Sequence, residues 1–114
     1  METLASALIG HMVGDYLMQN DWMALNKKKH SWPCFVHCLL WTLSVFNFTQ
    51  WGLIPCAFLF VTHFIQDRTY IVKWCMEHAG QSGFTQPPFA PWSLIVVDNT
   101  WHLVQIWFAW KYLI

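Results

Sequence analysis

The chain has 114 residues and 13.5 kDa, room for one domain. Hydrophobic residues make up 56%, aromatics 18% and charged residues only 11%, where a soluble domain usually carries about 25% charge. Nine Trp and nine Phe exceed what a water-soluble core of this size hides, and six Lys and Arg balance six Asp and Glu. Together these argue against a disordered chain, a nucleic-acid partner and an ordinary soluble enzyme. They predict a small all-α polytopic membrane protein whose partner is the lipid bilayer. The mean hydropathy of +0.33 is modest for that class, because Trp, Tyr and His depress the index.

A bilayer crossing needs roughly 20 mostly apolar residues, and four stretches qualify. The first predicted span covers 3–23. It lacks a basic start and carries Asp15, so it does not read as a signal peptide. The connector 24–32 holds Lys27, Lys28 and Lys29. Pro33 suits the first turn of the second span, 33–48. A polar turn, 47–52, leads to the third span, 53–76. The connector 77–91 contains Gly80, Gly83, Pro87, Pro88 and Pro91, which regular helix does not accommodate. It reads as a lid over the site or as a loop along the interface. The fourth span is 92–113. Arg68 and Lys73 fall near the second connector, so the positive-inside rule puts both connectors in the cytoplasm and both termini on the non-cytoplasmic side. Trp22, Trp32, Trp74 and Trp92 then lie at one interface, with Trp51, Trp107, Trp110 and Tyr112 at the other.

Ionisable residues inside spans are costly, and they face a bundle interior or a watery cavity. Asp15, Asp67 and Asp98 lie within the predicted spans, as do His11, His37, His63 and His102; Glu2, Asp21 and Glu77 lie elsewhere. The pairs His11/Asp15, His63/Asp67 and Asp98/His102 are each four apart, which stacks them on one helix face. Gln19 extends the first stripe and Asn99 adjoins the third. Given alternating helix directions, all four spans deliver polar groups to one layer in the cytoplasmic half.

Imidazole nitrogen and carboxylate oxygen suit a divalent Zn, Mn or Fe ion, and a helix bundle is a usual place to build such a site. The expected metal ligands are Asp15, His63, Asp67, Asp98 and His102, for one ion or two, with His11, His37 and Gln19 as supporting or acid–base groups. Interhelical pairing without metal is the plain structural alternative. Cys34, Cys38, Cys56 and Cys75 are expected to remain free and to pack, although Cys34, His37 and Cys38 share a face that could bind Zn.

His11-x-x-x-Asp15-x-x-x-Gln19, then Asp21-Trp22-Met23-Ala24, the Lys27–Lys29 run, His37, His63-x-x-x-Asp67 and Asp98-Asn99-x-x-His102 together resemble a family of small bacterial and phage membrane proteins, domain of unknown function 3307. The resemblance covers nearly the whole chain, with Asn99 standing where Gln is expected. It implies a multi-pass location in the bacterial inner membrane and importance of these polar positions, and it supplies no activity. The residues favour a metal-dependent intramembrane hydrolase of a lipid-linked or amphiphilic phosphate or ester, with Lys27–Lys29 able to attract an anionic head. Two alternatives are a proton or metal-ion transporter working as a homo-oligomer and a phage or host effector acting by protein contact. The polar stripe fades over 53–61 and 103–108, which favours a one-sided pocket.

Overall fold

Thr3 opens the first helix, its hydroxyl accepting from the Ser6 amide at 3.2 Å. Helix α1 (Leu4–Met12) runs into a π-helical turn, Val13–Leu17, in which the Met18 amide reaches back to the Val13 carbonyl at 3.0 Å. Asn20 caps α2 (Asp21–Asn26) through the Met23 amide. Helix α3 (Ser31–Thr49) ends at Gln50, whose φ of 59° takes the left-handed conformation common at helix ends. Helices α4 (Leu53–Arg68) and α5 (Ile71–His78) follow. After the short 3₁₀ turn Ser82–Thr85, two cis prolyl bonds, Pro87-Pro88 and Ala90-Pro91, lead into α6 (Trp92–Tyr112). This computed structural model describes residues 3–114, and Glu2 falls outside them.

Helices α1, α3, α4 and α6 close a ring in which α1 packs on α3, α3 on α4, α4 on α6 and α6 on α1. Neighbours run antiparallel. One end of the bundle is apolar, with Ala7, Trp41, Val45, Trp51, Leu59, Ile106 and Ala109 in one core cluster. The other end collects the buried His and Asp residues from the end of α1, the start of α3, the end of α4 and the first half of α6.

The all-α class agrees with the sequence reading, but the membrane architecture does not. Among the described residues, no helix is long and apolar enough to cross a membrane. This overturns the four transmembrane spans, the cytoplasmic and non-cytoplasmic sides assigned from them, and the placement as an integral protein of the bacterial inner membrane. The chain is interrupted where the spans were expected. The stretch 3–23 breaks at the π turn and again before α2. The stretch 53–76 breaks at Thr69, where Lys28 Nζ donates to the carbonyls of Gln66 and Asp67 in the last turn of α4 and to that of Thr69 just beyond it, at 3.3, 3.2 and 2.9 Å. Helix α6 reaches 21 residues, yet Asp98, Asn99, His102, Gln105 and Lys111 dilute its apolar character. The apolar surplus is nonetheless real, since large side chains such as Leu53 and Leu17 stand 84% and 79% exposed.

Candidate metal centre

The close seating of α1 on α3 comes from two glycines. A Cβ on Gly10 would stand 2.8 Å from Val45 Cα, and one on Gly14 would stand 2.7 Å from Trp41 Cδ1. Ser44 Oγ fastens the crossing by donating to the Gly10 carbonyl at 2.8 Å. Just beyond that crossing, the π turn presents Asp15 to α3 and α4.

Four donor atoms from three elements converge there. His37 Nε2 stands 3.2 Å from Asp15 Oδ1 and 3.0 Å from Asp67 Oδ2. His63 Nε2 stands 3.4 Å and 3.0 Å from the same two oxygens, and the two imidazole nitrogens are 3.1 Å apart. Together these atoms could hold a metal ion. Asp15 Oδ1 is buried with no hydrogen bond of acceptable geometry, so it faces the cluster as an unsatisfied acceptor. Bonds of about 2.0–2.2 Å to a central ion place neighbouring ligands about 3.0–3.4 Å apart, which matches the five separations above.

Asp67 is the hub. It is 1% exposed, and its other oxygen, Oδ1, accepts from or faces His102 Nε2 at 3.2 Å. His102 Nε2 also lies 3.5 Å from Asp98 Oδ2, forming a second potential donor group of Asp67, Asp98 and His102. Lys27 Nζ lies 3.2 Å from Asp67 Oδ2 and donates to Gln19 Oε1 at 3.0 Å.

The rings are fixed by stacking. Trp41 lies on His63 with centroids 4.0 Å apart, and His63 lies on His102, also at 4.0 Å. Trp41 donates its indole N–H to His11 Nδ1 at 3.1 Å, while His11 Nε2 pairs with Asn99 Oδ1. Both nitrogens of His11 are thus engaged away from the converging atoms, although Nδ1 passes 3.6 Å from Asp15 Oδ2.

Electrostatics reflect this crowding. Burial pushes the Asp15 and Asp67 carboxyls up, but the imidazoles of His37, His63 and, for Asp67, His102 outweigh it and hold both below the usual range. Asp98 is lowered in the same way, burial being overcome by His102 and Gln66. Burial lowers His102, yet hydrogen bonds to Asp67 and Asp98 raise it to about 10; His37 is raised against burial by Asp15 and Asp67. Burial also lowers Lys27, and Asp67 and Asp15 more than restore its charge. For His11 burial prevails, and its pKa is lowered.

A cavity of about 460 Å³ adjoins the cluster. Its lining combines the polar residues Asp15, Asp67, Asp98, Gln19, Lys27, Lys28 and Lys73 with Tyr16, Tyr70, Val72, Leu94 and Ile95. Among the described residues, none from 80–91 lines it. That connector packs on itself instead, with Phe84 against Phe89 and Trp92 and with Ser93 Oγ donating to the Phe84 carbonyl at 2.6 Å. Cys34 and Cys38 are buried and free, 3.9 Å apart at sulfur, and belong to neither donor group.

Of the residues singled out in the sequence, Asp15, His63 and Asp67 meet with His37, whereas Asp98 and His102 meet on the other side of Asp67. Gln19 reaches the cluster through Lys27, and His11 through Trp41. Three participants escaped sequence reasoning in these roles. Lys27 read as a topology or headgroup signal, and neither Trp41 nor Gln66 was singled out. The signal for Gln66 was an amide beside Asp67 in an apolar helix; it is 2% exposed and bonded to Asp98 and Gln105.

The family described as protein of unknown function (DUF3307) matches residues 3–114, in agreement with the resemblance carried by the His/Asp motifs. No curated protein and no solved structure matches the chain.

Proposed function

This chain belongs to the DUF3307 family, and we propose that it is a metal-dependent hydrolase of an amphiphilic phosphate or ester. The observation that carries this reading is the convergence of Asp15 Oδ1, His37 Nε2, His63 Nε2 and Asp67 Oδ2 beside a cavity whose lining combines lysines and carboxylates with apolar side chains. Without an ion, the three carboxylates are balanced by Lys27 and by the raised imidazoles of His37 and His102, whose protons a bound cation would replace.

Two nitrogen and two oxygen donors suit Zn, Mn or Fe. Hydrolysis requires a coordination position left for water, which favours five- or six-coordinate Mn or Fe, or Zn expanded beyond four. The ion would lower the pKa of bound water and polarise the scissile group. Within the protein, Trp41 and His102 hold the His63 ring between them, and Gln19 positions Lys27. Lys27, Lys28 and Lys73 attract the anionic head of the substrate, while Tyr16, Val72, Leu94 and Ile95 accommodate its apolar part.

The test is turnover of 4-nitrophenyl phosphate, 4-nitrophenyl acetate and a long-chain alkyl phosphate by Mn(II)-loaded protein. Turnover should cease with a chelator and fall at least a hundredfold in Asp67→Asn. Absence of turnover on the whole panel with an ion bound would refute the hydrolase reading. Activity that survives both chelation and Asp67→Asn would refute the role of the cluster.

A further inference from the structure

The two oxygens of Asp67 face different donor groups. Oδ2 faces His37 and His63, both at 3.0 Å, and Oδ1 faces His102 Nε2 at 3.2 Å. Beyond His102 stands Asp98 Oδ2, at 3.5 Å from the same nitrogen. Asp98 and Asp67 both line the cavity that Asp15 lines, so the two groups open onto one space.

We infer that Asp67 bridges two divalent cations, the second held by Asp67 Oδ1, Asp98 Oδ2 and His102 Nε2. This rests on the metal-centre reading above and extends it from one ion to a pair. The supporting observation is a chain of amides that prepares the second group. His102 Nδ1 lies 3.4 Å from Gln105 Oε1 and donates to it, so Nδ1 keeps its proton and Nε2, which points at Asp67 and Asp98, is the nitrogen that would ligate on giving its proton up to an incoming ion. Gln105 Nε2 donates to Gln66 Oε1 at 2.8 Å. Gln66 Nε2 donates in turn to Asp98 Oδ1 at 2.9 Å and to the Asp98 carbonyl at 2.8 Å, and it also lies 3.3 Å from His102 Nε2. The chain starts on one proposed ligand and ends on another. It sets the tautomer of His102 and engages one oxygen of Asp98, turning the other toward His102.

Structural glue alone does not need that arrangement. The buried Gln66, which donates to the carboxylate, and the half-buried Gln105, which accepts from the imidazole, orient ligands in the manner of the outer partners around metal sites. A single shared carboxylate suits the short spacing of paired ions, about 3.5–4 Å, in hydrolytic two-metal sites. In such a pair, the two ions can hold the attacking and leaving oxygens of one displacement.

The experiment titrates metal-free protein with Mn(II) alone, reading stoichiometry by elemental analysis and calorimetry and ion–ion coupling by electron paramagnetic resonance. Wild type should bind two equivalents and give a spin-coupled signal. Asp98→Asn, at a position 33% exposed, should bind one equivalent and lose the coupling. Gln66→Met should keep the first equivalent and weaken the second by about 10–100-fold. Metal-free unfolding midpoints within a few degrees of wild type establish that each variant folds, and Gln66→Met decides the question should Asp98→Asn not fold. One equivalent in wild type, unchanged by either variant, overturns the bridged pair and leaves the metal centre standing. Two equivalents in wild type and in both variants place the second ion elsewhere and also overturn it. No bound ion in wild type overturns both readings.

Discussion

Gly10→Ala probes how the helix crossing supports the site. The added Cβ would lie 2.8 Å from Val45 Cα, 3.1 Å from the Ser44 carbonyl oxygen and 3.3 Å from Val45 N. All three neighbours are backbone atoms, so no side-chain rotation relieves the clash, and α1 must move off α3. Overpacking of this kind costs about 1–3 kcal/mol, while removing a helix-interior glycine returns up to about 1 kcal/mol. Steric cost wins, giving a net loss of about 1–2 kcal/mol, or roughly 4–8 °C in melting midpoint. Because Asp15 follows Gly10 on the same segment, Mn(II) affinity should also fall about tenfold or more. Gly83→Ala is the control, since nothing lies within 4 Å of its Cβ and it should stay within about 0.5 kcal/mol of wild type. The assay is urea unfolding in chelator, followed by metal titration of each variant. Gly10→Ala unfolding together with wild type, or Gly83→Ala losing as much, would refute the close-approach argument.

Trp41→Phe keeps an aromatic ring over His63 but leaves the buried His11 Nδ1 without its donor. It should cost about 1–3 kcal/mol in unfolding and weaken metal binding about 10–100-fold; equal affinity would remove Trp41 from the support of the site. With an ion present at 100 times its dissociation constant, the fold should gain about 2.7 kcal/mol. Chelation should therefore lower the melting midpoint of wild type and leave that of Asp67→Asn unchanged, and an equal shift in both would count against ligation through Asp67. In metal-free protein, His102 is raised from 6.5 to about 10, so its stabilisation is present below pH 6.5 and lost as pH rises toward 10. Asp15, Asp67 and Asp98 are lowered from 3.8, so theirs is present above that pH and lost as pH falls through their folded values. His11, lowered by burial, opposes the trend below 6.5. The melting midpoint in chelator should decline from pH 7 to 10 and again below about 4, and a rise between 7 and 10 would contradict the His102 assignment.

What the chain determined by itself was local. Four-residue spacing on a helix places His63 and Asp67, or Asp98 and His102, on one face whatever surrounds them; in the structure those pairs stand 3.0 and 3.5 Å apart at their nearest atoms. Alternating helix directions likewise bring the ends of α1 and α4 and the starts of α3 and α6 to one level. The family, too, was legible from those motifs. Counting apolar residues misjudged the membrane spans, because length and hydropathy do not register interruptions made by distant groups. Lys28, 38 or more residues away in sequence, takes up the carbonyls where α4 ends, and the π turn lies where α1 seats on α3. The roles of Lys27, Trp41 and Gln66 follow the same rule, since each depends on a partner supplied by another helix. His11 and His37 are alike in the sequence as single histidines on apolar helices. Only packing decided that Trp41 and Asn99 engage both nitrogens of His11, while His37 Nε2 is left facing Asp15, His63 and Asp67.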